Sequence, residues 1–202
     1  MMERFFGKRT DNVDLGDSER TFDIATFSKE QKNGLARLGY EYFYPLTRQT
    51  IADLRDSGNR FWTDWHKGDA FEQIASMGTE VALNPRALFL ANSNGKDLTQ
   101  QVSMIAKFSR ALGKEVSGVK AVMGEAPDYS ALAFAHKRAT GSRLFGSEYD
   151  FDYARTKTPT SGSSVAIVGY FDGNGLRVSS LGRGDDHDDV WAVPLVVPQK
   201  AR

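Results

Sequence analysis

The chain has 202 residues, 40% of them hydrophobic and 26% charged, with a formal net charge of zero at pH 7 and no cysteine. These values describe one ordinary folded domain. They exclude disulfide staples, thiolate catalysis and cysteine-bound zinc, and they lack the bulk positive field on which nonspecific nucleic-acid binding depends.

The first residues, Met1-Met2-Glu3-Arg4-Phe5-Phe6-Gly7-Lys8-Arg9, hold no apolar run of the signal-peptide kind, and no later segment reaches the length of a membrane span. Membrane insertion is therefore not expected, and the compartment is cytoplasmic by default. Residues 1–32 are polar, with Asp11, Asp14, Asp17, Glu19 and Arg20 broken by isolated apolar positions, and are predicted as an arm or strand pair attached to a domain over 33–202. A helix is predicted from Thr47 as N-cap, carrying Ile51 and Leu54 inward and stopping at Gly58. Phe61, Trp62 and Trp65 read as core.

The run Thr79 to Leu90 predicts a strand with an edge or bulge at Pro85, because proline cannot donate to a central ladder. The clearest helix follows. Asp97 and Gln100 form a capping-box start, and Leu98, Val102, Ile105, Phe108 and Leu112 recur at helical spacing before Gly113, predicting a buried face. A short strand is expected over Val119 to Met123. A second strong helix opens at Pro127-Asp128, contributes Leu132, Phe134 and Ala135, and ends at Gly141 after Lys137 and Arg138. Beyond Gly141 come short apolar pieces between turn residues: Val165 to Val168, Leu176 to Val178, and Trp191 to Val197, where Trp191, Val193, Leu195 and Val197 alternate onto one face.

The densest chemistry is Arg183-Gly184-Asp185-Asp186-His187-Asp188-Asp189. A divalent cation is one reading of it and a solvated acidic loop the other, since the run does not reproduce the spacing of an EF-hand. His66, His136 and His187 stand in unrelated contexts with no nucleophile-elbow serine nearby, so no catalytic set emerges, and His136 reads as structural. Glu125 and Asp128 suit an acid–base pair only formally, because a helix-start Asp already has a structural role. Gly169 to Gly175 is glycine-rich but precedes no helix, so it does not read as a phosphate loop. No cofactor is implied. From Ser161 to Val190 there is no Lys, Glu or Gln, although 26 such residues in the whole chain would place about four in that stretch.

Gly169-Tyr170-Phe171, Gly175-Leu176-Arg177-Val178 and Trp191-Ala192-Val193-Pro194-Leu195-Val196-Val197-Pro198, preceded by Tyr153-Ala154-Arg155-Thr156-Lys157-Thr158-Pro159-Thr160, resemble the C-terminus of diversity-generating retroelement variable proteins. In that family adenines of a copied template are mutated, and asparagine codons become many residues but never Lys, Glu or Gln. The resemblance implies an α+β, C-type-lectin-like fold with two main helices packed on small antiparallel sheets and an N-terminal extension. It implies a variable-type region at about 165–192. The framework would be Phe171, Leu176, Val178, Arg183, Trp191, Ala192 and Pro194. The ligand-contacting set would be Tyr170, Asp172, Asn174, Ser179, Ser180, Gly182, Asp185, Asp186, His187, Asp188 and Asp189. The chain carries no Gly-Gly-Ser-Trp element, so the resemblance lends no support to an oxidase. The expected function is recognition of a macromolecule, most simply a protein, without catalysis. The rival is a metal-dependent enzyme or metal-stabilised module built on Asp185 to Asp189, and a component of a larger particle is a third reading.

Overall fold

The computed structural model describes residues 24–62, 67–145 and 151–199. Within them the order is α1 (Lys29–Arg37), β1 (Tyr42–Leu46), α2 (Ile51–Asp56), β2 (Thr79–Leu83), α3 (Leu98–Glu115), β3 (Val119–Val122), α4 (Ala126–Thr140), β4 (Tyr153–Pro159), β5 (Ser164–Asp172), β6 (Gly175–Gly182), β7 (Val190–Trp191) and β8 (Leu195–Pro198). The fold is α+β. One sheet is antiparallel with strand order β1-β2-β8-β3, and the other has order β6-β5-β4-β7, antiparallel except where β7 joins β4 in parallel.

The first sheet is buried on both faces. Phe43, Ala82, Ala121 and Val196 face a cluster with Leu35 of α1 and Ile105 and Leu112 of α3, while Tyr44, Val81, Leu83, Leu195 and Val197 face α4 and the second sheet. This explains why β8 is a continuous apolar run and why every residue of β2 is buried, Thr79 and Glu80 included: a strand covered on both sides has no solvent face to alternate with. Proline positions follow the same logic. Pro45 sits in the edge strand β1, whereas β2 is interior and ends before Pro85, which opens a 3-10 turn over Pro85–Ala87 capped by Asn84. The predicted edge or bulge within one long strand is thus a chain that leaves the sheet.

The N-terminal boundary at residue 32 falls inside α1. Ser28 and Gln31 form a capping box, Ala25 bridges to Thr79, and Glu80 accepts from the Phe27 amide at 2.8 Å and from Lys32 at 2.6 Å. Residues 24–32 are therefore anchored to β2; the rest of the predicted arm, 1–23, lies outside the described residues, as does Trp65. Helix α2 is capped by Thr50 rather than Thr47. The third helical residue after Thr50 is Asp53, whose carboxylate returns a bond to the Thr50 amide at 2.9 Å, whereas Thr47 has no such acid or amide three residues on.

Helix α3 starts as predicted: the Gln100 amide donates to Asp97 at 2.8 Å and the Asp97 amide to Gln100 at 3.1 Å. It passes through Gly113 to Glu115, and its face is rotated slightly from the apolar pattern. Val102 is 46% exposed, while Gln101 beside it is fully buried. The Gln101 Nε2 donates to the carbonyls of Ser93 (2.8 Å) and Val190 (2.9 Å), tying α3 to the start of β7. Gln101→Met, similar in volume but without donors, is expected to cost about 1–3 kcal/mol, because two buried carbonyls lose a partner. Urea denaturation measures this, and an unchanged midpoint would show that the two bonds contribute nothing net.

Helix α4 has Pro127 in its first turn and ends in the left-handed Gly141, as read from the sequence. His136 is structural: its Nδ1 lies 2.9 Å from the Tyr44 hydroxyl, and burial pushes its pKa down. The predicted alternating strand from Trp191 to Val197 is instead two strands in different sheets, β7 and β8. Ala192, Val193 and Pro194 between them are all buried, so no single face alternates.

Candidate recognition surface

The inner face of the second sheet, with Ala154, Ala166, Val168, Leu176 and Val178, belongs to the main core. Its outer face carries a smaller cluster of Tyr153, Ile167 and Val190, against which Tyr170 and Leu181 pack. A β-bulge decides what this face displays. Gly169 pairs with Arg177 and Phe171 with Leu176, so Tyr170 is an extra residue in β5 and adopts φ 46°, the left-handed region. The bulge resets the alternation of the strand. Phe171 turns into the core and Tyr170 turns out.

Around Tyr170 the outer face is aromatic. Its ring stacks on Phe151 with centroids 4.6 Å apart and an interplanar angle of 15°, and meets Trp62 edge-on at 6.1 Å. The Arg177 guanidinium lies 4.5 Å over the Trp62 ring. Phe151 is 50% exposed, and Trp62 and Tyr170 are half-buried. Trp62 therefore lies at the surface end of the cluster read as core; Phe61 behind it does pack inward, 5.2 Å from Phe134. Sequence reading missed Phe151, Trp62 and Arg177, because Trp62 meets Arg177 only where the chain at 60–62 bridges to Leu176, and Phe151 meets Tyr170 only where β4 pairs with β5.

At the hairpin tip between β5 and β6, Asn174 is exposed and Asp172 is not. The Asp172 carboxylate accepts from the Asn174 amide at 2.7 Å and from its side-chain Nδ2 at 3.1 Å, so it closes its own turn. Its place among the contact residues is corrected to a structural one. Along β6, Ser179 is half-buried and Ser180 exposed, and Gly182 is half-buried where a Cβ would meet the Asp185 carboxylate at 2.4 Å.

The acidic loop follows. Asp185, Asp186, His187 and Asp188 are exposed and Asp189 half-buried, yet the backbone is tightly held. The Gly95 amide donates to His187 O at 3.0 Å, the Leu98 amide to Arg183 O at 3.1 Å, and the Tyr153 amide to Asp189 O at 2.8 Å. Beneath the loop lies Arg155, with no exposed surface at all. Its guanidinium donates to the carbonyls of Asp185 (2.8 Å), Gly182 (3.1 Å) and Lys96 (3.3 Å). Burial pushes its pKa down, and the nearby Asp97, Asp185 and Asp186 hold it up. The loop thus points carboxylates outward from a scaffold fixed by a buried cation. Among the described residues, no three His, Asp or Glu side chains converge as a metal site requires.

The predicted contact residues do not meet at one point. Asn174 lies at one end of β6 and the acidic loop at the other, which for an eight-residue strand is a separation of roughly 20 Å. Tyr170 lies near the hairpin end. The arrangement is a stripe across the outer sheet face, too spread for one reacting atom to touch several of its groups. Among the framework positions, Phe171, Leu176, Val178, Ala192 and Pro194 are buried, Trp191 is half-buried with its Nε1 donating to Asp152 at 2.8 Å, and Arg183 is exposed.

Glu125 and Asp128 form a capping box. The Asp128 carboxylate accepts from the amides of Glu125 and Met77, both at 2.8 Å, and fixes the 76–78 segment to α4. Burial is the largest influence on this carboxyl and pushes its pKa up to about 6, against those two amides. The native state then holds a proton that the unfolded chain has released. Stability from this group is full below the ordinary carboxyl value of 3.8 and is lost as pH rises towards 6. Melting temperature should therefore fall between those pH values in the native protein relative to Asp128→Asn, and parallel profiles for the two would refute the assignment.

Comparison with known proteins gave no matching family model, no matching curated protein and no matching solved structure. No helix among the described residues is long and apolar enough to cross a membrane.

Proposed function

We propose that this protein is a non-catalytic binding scaffold of C-type-lectin-like fold, akin to diversity-generating retroelement variable proteins, whose outer sheet face and acidic loop recognise a macromolecular partner, most simply a protein. The observation that carries this reading is Tyr170. A non-glycine residue held at φ 46° on a bulge, with its ring displayed beside an exposed Phe151, is local strain maintained at a surface position. A rigid aromatic of this kind gives contact area at small entropic cost.

Three further features support the reading. The residues assigned to ligand contact are solvent-accessible except Asp172, whereas most of those assigned to the framework are buried. The second sheet, β4 to β7, is inserted in the chain between β3 and β8 of the first, with α3 and α4 packed around them. The stripe length of roughly 20 Å suits a protein-sized interface better than a small substrate. The outward carboxylates of Asp185, Asp186 and Asp188 would select a basic partner surface, mainly through association rate, with an effect that weakens as salt rises.

The test is to sequence the C-terminal coding region across the source population and to search neighbouring DNA for an adenine-rich near-copy. Substitutions confined to codons for Tyr170, Asn174, Ser179, Ser180, Gly182 and 185–189, each at an adenine of that copy, are the expected result. An invariant segment with no near-copy would overturn the reading.

A further inference from the structure

A cavity of about 360 Å³ lies on the other side of the β5–β6 hairpin, where the turn after α2 meets the last turns of α4. That volume is at the lower end of the range for small-molecule sites. Its apolar wall is formed by Phe134 and Phe171, two buried rings packed edge-to-face at 5.3 Å. Its polar wall is cationic: Arg60, Lys137 and Arg138 all line it, and none has an acidic partner among the described residues. The lining carboxylate, Asp172, is turned back onto its own hairpin by two bonds from Asn174 and forms no ion pair with these three cations.

Two of these cations are positioned in advance. Asn59 donates from Nδ2 to Leu54 O at 2.8 Å, which leaves its Oδ1 to accept from Arg138 Nη1 at 2.9 Å. The Lys137 ammonium rests 4.7 Å from the centre of the Phe171 ring. Basic residues in the last turn of a helix are explained in part by its dipole. That account covers Lys137 and Arg138 but not Arg60, which comes from a different element, nor the cavity they share. Moreover, the end of α4 is already closed by the Gly141 amide on Lys137 O at 2.8 Å.

We infer that this cavity binds an oxyanion, phosphate or carboxylate, carried on a small apolar body: the guanidinium groups of Arg60 and Arg138 hold the charged end, Lys137 adds to the field, and Phe134 and Phe171 take the apolar end. This goes beyond the recognition surface, since none of the three cations belongs to it and either can fail alone.

The test uses the full chain in chloride buffer at fixed ionic strength, titrated with phenyl phosphate, benzoate and inorganic phosphate by calorimetry. Saturable one-site binding of phenyl phosphate or benzoate, tighter than inorganic phosphate, is expected. A tighter phenyl phosphate marks a phosphate source and a tighter benzoate a carboxylate source. The Arg60→Gln/Arg138→Gln double variant should weaken binding at least about tenfold, while Lys120→Gln, on the far sheet edge, leaves it unchanged. Gln at both positions keeps a long polar side chain, and a matching melting curve verifies the fold. No saturable binding of any probe, or equal weakening by Lys120→Gln, would overturn the inference.

Discussion

Arg155→Ala is expected to lower the free energy of unfolding by about 3–5 kcal/mol and to loosen the acidic loop before the rest of the molecule. The reason is the number of groups that depend on one side chain. The carbonyls of Gly182, Lys96 and Asp185 accept from the guanidinium, and they belong to the end of β6, the segment before α3 and the loop itself. Removing the donors takes the guanidinium bonds from the Lys96 and Asp185 carbonyls, leaves Gly182 O only its bond from the Asp185 amide, and removes a positive charge that interacts with Asp97, Asp185 and Asp186. Arg155→Lys keeps the charge, but an ammonium lacks the planar fork that reaches three acceptors, so an intermediate loss is expected. Denaturant unfolding gives the size of the effect. Amide exchange gives its place: the Asp185, Gly95 and Tyr153 amides, bonded to Gly182, His187 and Asp189, should lose protection first. Unchanged stability with unchanged protection at these three amides would show that the loop is held by something else.

Arg155 also marks the limit of what could be read from residue order. In sequence it opens a polar run, Arg155-Thr156-Lys157-Thr158, and an arginine in such a run is ordinarily solvent-facing. It is buried because a loop some thirty residues later folds over it, and no local pattern carries that information. The capping boxes behave oppositely. Asp97 with Gln100 is a reciprocal bond between residues three apart, so its chemistry is contained in its spacing and the start of α3 was legible to the residue. The left-handed end of α4 at Gly141 was legible for a similar reason. Thr50 follows the same rule with Asp53 three residues on, whereas Thr47 has Thr50 at that place and so no carboxylate or amide to return the bond.

Composition and exposure coincide only in part. The stretch without Lys, Glu and Gln, Ser161 to Val190, contains the exposed Asn174, Ser180 and 185–188 together with the buried strand residues 165–169. Phe151 and Trp62 come from outside that stretch: Trp62 joins it through the bridge of the 60–62 segment to Leu176, and Phe151 through the pairing of β4 with β5, where the Tyr170 amide donates to Asp152 O. Asp172 entered the contact set by position in the resemblance alone, which does not register that an Asp starting a turn folds its carboxylate back onto its own backbone. Gln101 and Val102 exchanged roles because helical periodicity locates an apolar face only to within about a residue.

The display of Tyr170 rests on Gly169, and this gives the second large expected effect. A Cβ at Gly169 would sit 2.1 Å from Asp152 O and 2.6 Å from Tyr153 Cα, both backbone atoms of the neighbouring strand, so no side chain can rotate to make room. Gly169→Ala should therefore cost about 3 kcal/mol or more, by driving β4 away from β5 where Tyr153 pairs with Gly169. Gly173→Ala, at the hairpin tip where a Cβ meets nothing within 4 Å, should change stability by less than about 0.5 kcal/mol. The pair separates steric conflict from the general cost of losing a glycine. Denaturation midpoints measure the first effect. The near-ultraviolet circular dichroism of the Trp62, Tyr170 and Phe151 cluster measures its local consequence, because the Asp152 carbonyl that would be displaced also accepts from the Tyr170 amide at 3.1 Å. A Gly169→Ala protein as stable as its parent, with that aromatic signal intact, would mean that β4 does not close against the bulge, and the strained tyrosine on which the proposed recognition role rests would lose its support.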